Sequence, residues 1–261
     1  MSDYQTITCT SQGGLATITL NRPDDANGLN PTMAAELRHA AKACEEDRSL
    51  KVVVLTGSGR FFCAGGDVKA MADAGSGAGQ VIKNMADDLH GAVSTLARMR
   101  APLITAVNGT AAGAGFSMAI AGDLSIAVES AGFTMAYSKI GLSPDGSSTY
   151  FLPRLVGMRK AQELMFTNRK LSAQEAVDWG LINRVVADDQ LELEVGRLAE
   201  LFLTGSADSN AAIKQLLLQT YNNGLETQME IEGRFIADCA RSKNGQEGIS
   251  AFVAKRKPEF D

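Results

Sequence analysis

The stretch LATITLNRP alternates apolar and polar side chains until Pro23 ends the pattern, so residues 4–20 read as two strands reversing at Gly13-Gly14. A polar loop follows, then a helix from about Pro31 to Asp47, with Pro31 suited to a first helical turn. KVVVLTG is different: a short β-branched run without alternation, as expected of a strand covered on both faces. LITAVNG and LSIAV repeat that character, and a helix over about Val81–Arg100 separates the first two runs. A small-residue helix start, TAAGAGFSMAIAGD, separates LITAVNG from LSIAV. The repeated order strand–helix–strand predicts an α/β fold with parallel strands. From Ser147 onward the pattern is almost wholly helical, and no linker or internal repeat interrupts it. Ala72–Gln80, rich in Gly and Ala, reads as a mobile surface loop.

Length and composition narrow this to one main domain. The 261 residues approach the upper limit for a single core, and 45% hydrophobic with 21% charged residues is an ordinary globular balance. A net charge of −5 offers no general attraction to nucleic acid or to an anionic membrane. The four cysteines (Cys9, Cys44, Cys63 and Cys239) and two histidines show no metal-ligand spacing, so no metal is expected. The first residues lack a basic start and apolar run, and no apolar stretch approaches the roughly 20 residues that span a bilayer. Cytoplasmic placement with reduced cysteines is the expectation.

Two segments carry candidate chemistry. Phe62-Cys63-Ala64-Gly65-Gly66-Asp67 follows one buried strand, and Asn108-Gly109-Thr110-Ala111-Ala112-Gly113-Ala114-Gly115 follows another. Each reads equally as a tight turn or as a place where backbone N–H groups meet an anion. Neither has the G-x-G-x-x-G dinucleotide spacing or the phosphate-loop pattern. Taken together, one donor from each turn would make an oxyanion hole.

FFCAGGDVKAM and NGTAAGAGFSMAIAGDLSIA resemble the two oxyanion turns of the crotonase (enoyl-CoA hydratase/isomerase) family. The likeness continues through FTMAYSKIGLSPDGSSTYFLPRLVG, LSAQEAVDWGLINRVV and the tail EGISAFVAKRKPEF. The resemblance implies an α/β fold with a repeated ββα spiral core over residues 1–200 and a helical, trimer-forming C-terminal region over 201–261. It implies an acyl-CoA thioester substrate, no cofactor beyond the coenzyme A of that substrate, and a homotrimer or dimer of trimers. The oxyanion donors fall on the backbone N–H of Gly66 and Ala114. By the same likeness Asp25, Ala26, Ala64, Asp67, Val68 and Lys69 lie along coenzyme A, with Phe252 and Lys255 reaching it from an adjacent subunit; a solvated basic helix end is the other reading of that tail.

Where hydratases of the family carry two glutamates, this chain has Ser117 and Tyr137. Asp145 in Leu142-Ser143-Pro144-Asp145-Gly146 is the nearby carboxylate. On local chemistry it is a turn residue and helix N-cap. Some isomerases of the family, including one type of Δ3,Δ2-enoyl-CoA isomerase and the ring-epoxide isomerase of phenylacetate breakdown, carry an acid at this position, and the resemblance implies a proton shuttle for shifting a 3-enoyl-CoA to a 2-enoyl-CoA. Phe116, Met118 and Tyr137 are candidates for an apolar environment around it. Three alternatives stay open. The 4-chlorobenzoyl-CoA dehalogenases have an Asp at the position of Asp145 and a His at that of His90, although this chain has Gly66 and Leu89 where they have bulky aromatics. An atypical hydratase and a non-catalytic acyl-CoA binder are the others.

Overall fold

The computed structural model describes residues 3–261. The alternating N-terminal strands β1 (Ile7–Gln12) and β2 (Leu15–Leu20) pair antiparallel across the Gly13-Gly14 turn. Asn30 caps α1 (Pro31–Glu46) by accepting the Met33 N–H at 2.8 Å, and Met33, Leu37, Ala40, Ala41 and Cys44 form its buried face. β3 (Val52–Gly57) follows, then the three-residue β4 (Phe61–Cys63), α2 (Val68–Asp73) and α3 (Ala78–Arg98). The same unit recurs as β5 (Leu103–Val107), β6 (Thr110–Ala112) and α4 (Ala114–Ile120), and begins again with β7 (Leu124–Val128) and β8 (Gly132–Thr134).

The long strands form a six-stranded sheet in the order β1-β2-β3-β5-β7, with β10 (Arg184–Val186) at its far edge, parallel throughout except for β1. The lack of alternation in β3 has a direct cause. Val53 and Leu55 face the main core with α1 and α3, while Val52 and Val54 face α8 (Leu191–Leu203) through Leu198 and Ala199. The short strands form a second sheet, β4-β6-β8 with β9 (Leu171–Ser172), so each repeat turns a corner from one sheet to the other. The remaining helices are α5 (Ser148–Val156), α6 (Met158–Thr167), α7 (Ala173–Asp178), α9 (Ala207–Gln219), α10 (Leu225–Arg241) and α11 (Lys243–Val253).

The region after Ser147 is thus mainly helical, but β9 and β10 interrupt it. Ala72–Gln80 is not an irregular loop: it holds the end of α2, a 3-10 turn at Gly75–Gly77 and the first turn of α3. Gly75, at φ +53°, ends α2 in the left-handed region that suits glycine, and the chain re-enters helix at Ala78. One charged side chain lies deep in the structure. Lys214 of α9, 4% exposed, donates to the carbonyls of Leu96 (2.7 Å) and Ala101 (3.0 Å) and pairs with Asp123 at 2.7 Å. No helix among the described residues is long and apolar enough to cross a membrane.

Candidate active site

The first turn leaves β4 at Cys63 and passes through Gly65, whose φ of +105° suits glycine alone. Leu29 clamps it like a strand partner: its N–H donates to the Gly65 carbonyl and its carbonyl accepts the Asp67 N–H, both at 2.8 Å. Those bonds use the groups on either side of Gly66, so the Gly66 N–H faces away from Leu29. Asp67 then caps α2, accepting the Ala70 N–H at 3.1 Å. Arg22 holds the outside of the turn, bonding the Gly28 carbonyl, Asp25 at 2.7 Å and Asp67 at 3.0 Å. Burial alone would raise the Asp67 pKa, but the Ala70 N–H and Arg22 outweigh it and hold the carboxyl below its usual range. Asn27, fully buried, completes the frame through the Arg22 N–H (2.8 Å) and the carbonyls of Ser58 (2.9 Å) and Phe61 (2.8 Å).

The second turn is made by packing. Gly113 (φ +51°) donates to the Thr134 carbonyl at 3.1 Å, and Ala114 opens α4, so its N–H has no partner within the helix. Every residue of α4 is buried. A Cβ on Gly115 would lie 2.1 Å from the Cys63 carbonyl oxygen, and one on Gly113 would lie 3.4 Å from the Gly65 Cα. The absent side chains let the two turns touch.

Gly66 and Ala114 both line one cavity of about 330 Å³, together with Tyr137 and Asp145. Leu29, Met71, Ile82, Met85 and Leu142 supply its apolar wall. Phe116 and Met118 do not: they are 0% and 3% exposed, packed into the main core as interior residues of α4. Asp145 accepts the Tyr137 hydroxyl at 2.6 Å on Oδ1 and faces His90 Nε2 at 3.6 Å with Oδ2. Burial, then the charge and hydrogen bond of Asp145, push the Tyr137 phenol well above its usual pKa, so it stays a proton donor. Ser117 Oγ lies 3.3 Å from the same hydroxyl and donates to the Asp145 carbonyl at 2.9 Å. The helix-cap reading of Asp145 does not hold. α5 begins after Ser147, which makes no side-chain cap, and the Asp145 carboxylate is occupied elsewhere. The backbone beside it is left-handed, freely at Gly146 (φ +61°) and with strain at Ser147, a non-glycine at φ +75°.

The profile of the family described as Enoyl-CoA hydratase/isomerase matches residues 10–261. The chain belongs to that family. It is 40% identical to the 1,2-epoxyphenylacetyl-CoA isomerase of Escherichia coli K12 over 248 residues, 95% of each chain. It is 32% identical to a 4-chlorobenzoyl coenzyme A dehalogenase of an Arthrobacter species, covering 93% of this chain and 88% of that one. The crystal structure of an enoyl-CoA hydratase from Polaromonas sp. JS666 superposes with a TM-score of 0.93 at 35% identity, covering 98% and 99% of the two chains. The crotonase fold and an enzyme of the acyl-CoA hydratase/isomerase class follow.

With the family in view, the other candidates fall into four places. Ser117 and Tyr137 are neighbours in the site, but neither is a carboxylate. His90 stands beside Asp145 yet lines an adjoining cavity with Ser94, Ser147, Tyr150 and Phe151, and its Nε2 accepts the Gly146 N–H at 3.1 Å. Ala64, Val68, Lys69 and the Asp25 side chain are exposed around the first turn, and Ala64 donates to Ala26 at 3.0 Å. Phe252 (87% exposed) and Lys255 lie at the end of α11, which contributes nothing to the cavity of the same chain. Arg22 and Asn27 are the residues that sequence reasoning missed. Their polar loop has no periodicity, and the only hint was a cluster of Asn, Asp and Arg just before α1.

Proposed function

We propose that this enzyme is an isomerase that moves the double bond of a 3-enoyl-CoA into conjugation with the thioester. One observation carries the reading: the Asp145 carboxylate opens into the same cavity as the two turns, with Tyr137 donating to it and no cap to make. Asp145 removes a proton from C2. The charge moves to the thioester oxygen, where the N–H groups of Gly66 and Ala114 receive it, and the carboxyl returns the proton at C4. A single oxyanion donor is worth about 2.7–4 kcal/mol of barrier. Tyr137 fixes the carboxylate's orientation and, held protonated, cannot itself serve as a base. That argues against hydration through Ser117 and Tyr137, since neither takes a proton from water.

A hydrolase reading is favoured by one distance, the 3.6 Å between His90 and Asp145. Against it, His90 Nε2 already accepts the Gly146 N–H, which occupies the lone pair a water-activating base needs. The experiment is a panel of 3-enoyl- and aroyl-CoA substrates with wild type, Asp145→Asn and His90→Gln. Isomerisation, read as conjugated-thioester absorbance, should fall at least about 10²-fold in Asp145→Asn while binding of the thioester persists. His90→Gln should retain it. Near-full turnover by Asp145→Asn rejects the shuttle. Release of halide or free acid that stops in His90→Gln favours the hydrolase, and binding without any product favours a non-catalytic role.

We also propose a trimeric assembly through the C-terminal helices. α10 buries no residue, and Ile213, Leu217, Met229, Ile236 and Phe252 are each more than half exposed. Light scattering of the purified protein tests this.

A further inference from the structure

The main chain of Asp145 is held as closely as its carboxylate. Its carbonyl accepts the hydroxyls of Ser117 and Ser148, each at 2.9 Å, and the Ser148 N–H at 3.2 Å. Ser117 has one proton to give, and its contact with the Gly113 carbonyl is longer, at 3.3 Å. At the other end of the same peptide unit, the Gly146 N–H donates to His90 Nε2 at 3.1 Å. Both serines are fully buried, so bulk water does not stand in for either hydroxyl. The turn also presses against α4: a Cβ on Gly146 would lie 2.9 Å from the Ser117 Cβ and 3.2 Å from Leu89 Cδ2.

We propose that Ser117 and Ser148 are positioning residues that set where the Asp145 carboxyl stands in the cavity. Their role builds on Asp145 as the proton shuttle of the proposed function, and adds the groups that aim it. Tyr137 bonds the carboxylate and so governs rotation of the side chain. It does not govern the backbone. The two hydroxyls do. A carbonyl gripped from α4 and from α5, with His90 holding the N–H opposite, cannot turn its peptide plane.

Two features make this grip matter for chemistry as well as for stability. Ser147 sits at φ +75°, and strain of that kind persists only where the surroundings over-determine the backbone. Releasing the Asp145 carbonyl gives the turn room to relax, and the carboxyl moves with it. Ser117 also lies three residues beyond Ala114 in α4, on the same helical face and about 4.5 Å along the axis. One short, wholly buried helix therefore spaces the shuttle from the main-chain donor assigned to Ala114. A misplacement of about 1 Å can cost about 10²-fold in rate.

The test uses the full chain with a 3-enoyl-CoA, well below the unfolding midpoint of every variant. Ser117→Ala, Ser148→Ala and the double variant are compared with wild type and Asp145→Asn. Either single change leaves the carbonyl one hydroxyl and the Ser148 N–H, and kcat should fall about threefold. The double variant should lose about 30-fold, more than the product of the two, with KM within about twofold of wild type. Ser125→Ala removes a buried hydroxyl from β7 and should leave both constants unchanged. If the double variant does not fold by circular dichroism, the single variants decide by the same split between kcat and KM. Wild-type kcat in the serine variants, beside an inactive Asp145→Asn, overturns the positioning role alone. So does a loss carried by KM, or an equal loss in Ser125→Ala. Near-full turnover in Asp145→Asn, or no isomerisation by wild type, overturns the shuttle and the positioning role with it.

Discussion

The turn at Gly65–Asp67 is fastened by polar bonds, from Leu29, Arg22 and the cap on α2, whereas the turn at Gly113–Gly115 is fastened by close packing. The first lies at the rim beside exposed Ala64, Val68 and Lys69; the second is interior, with its helix wholly buried. Gly66 of the first and Ala114 of the second line one cavity, so the site joins an adjustable half to a rigid one. The polar half responds to charge, pH and ionic strength. The packed half responds to volume.

Substitution of Gly115 should have the largest effect. In Gly115→Ala the new Cβ would meet the Cys63 carbonyl oxygen at 2.1 Å and the Cys63 Cβ at 2.7 Å, and backbone cannot swing aside. A stability loss of about 3 kcal/mol or more in urea unfolding is expected, at the upper end for overpacking. Arg22→Ala comes next. It leaves Asp67, 17% exposed, without its cation, and should cost about 1–3 kcal/mol with a roughly tenfold fall in kcat as the first amide drifts. Arg22→Lys should not restore it, because one ammonium cannot span the Gly28 carbonyl, Asp25 and Asp67 together. A near-normal Arg22→Ala enzyme would mean that the Leu29 clamp suffices.

Gly66→Ala should leave stability within about 1 kcal/mol, because its Cβ meets only the flexible Met71 Cε, at 2.3 Å. It should instead raise KM, and Met71→Ala should reverse that rise. The smallest effect is with acid. The Asp67 pKa is depressed in the folded protein, so its contribution is complete above the unfolded value of about 3.9 and is lost as pH falls through the lower folded value. Urea midpoints of wild type and Asp67→Asn should therefore differ at pH 6 and converge toward pH 3.

These contrasts also mark what the sequence could reveal. β2 was legible from alternation, and β3, β5 and β7 from unbroken apolar runs, because side chains cover both faces of the sheet. β4, β6 and β8 have three residues each, too few to establish a period, and their pairing comes from main-chain register. Both glycine turns were visible as turns. Their meeting at Gly65 and Gly113 was not, since it depends on contact between segments far apart in the chain. Asp145 showed only turn chemistry locally; that its carboxylate is engaged by Tyr137, arriving from the segment after β8, depends on tertiary contact. Arg22 was invisible because a polar loop has no period to read.

The ammonium of Lys214 closes the far end of α3 by holding the carbonyls of Leu96 and Ala101. That helix supplies Ile82 and Met85 to the cavity wall and also carries His90. The C-terminal helices are accordingly an anchor for the cavity-lining helix as well as a surface appendage. A chain cut before α9 would leave Asp123 and two carbonyls without their cation, and the loosening would travel along α3 toward the cavity wall.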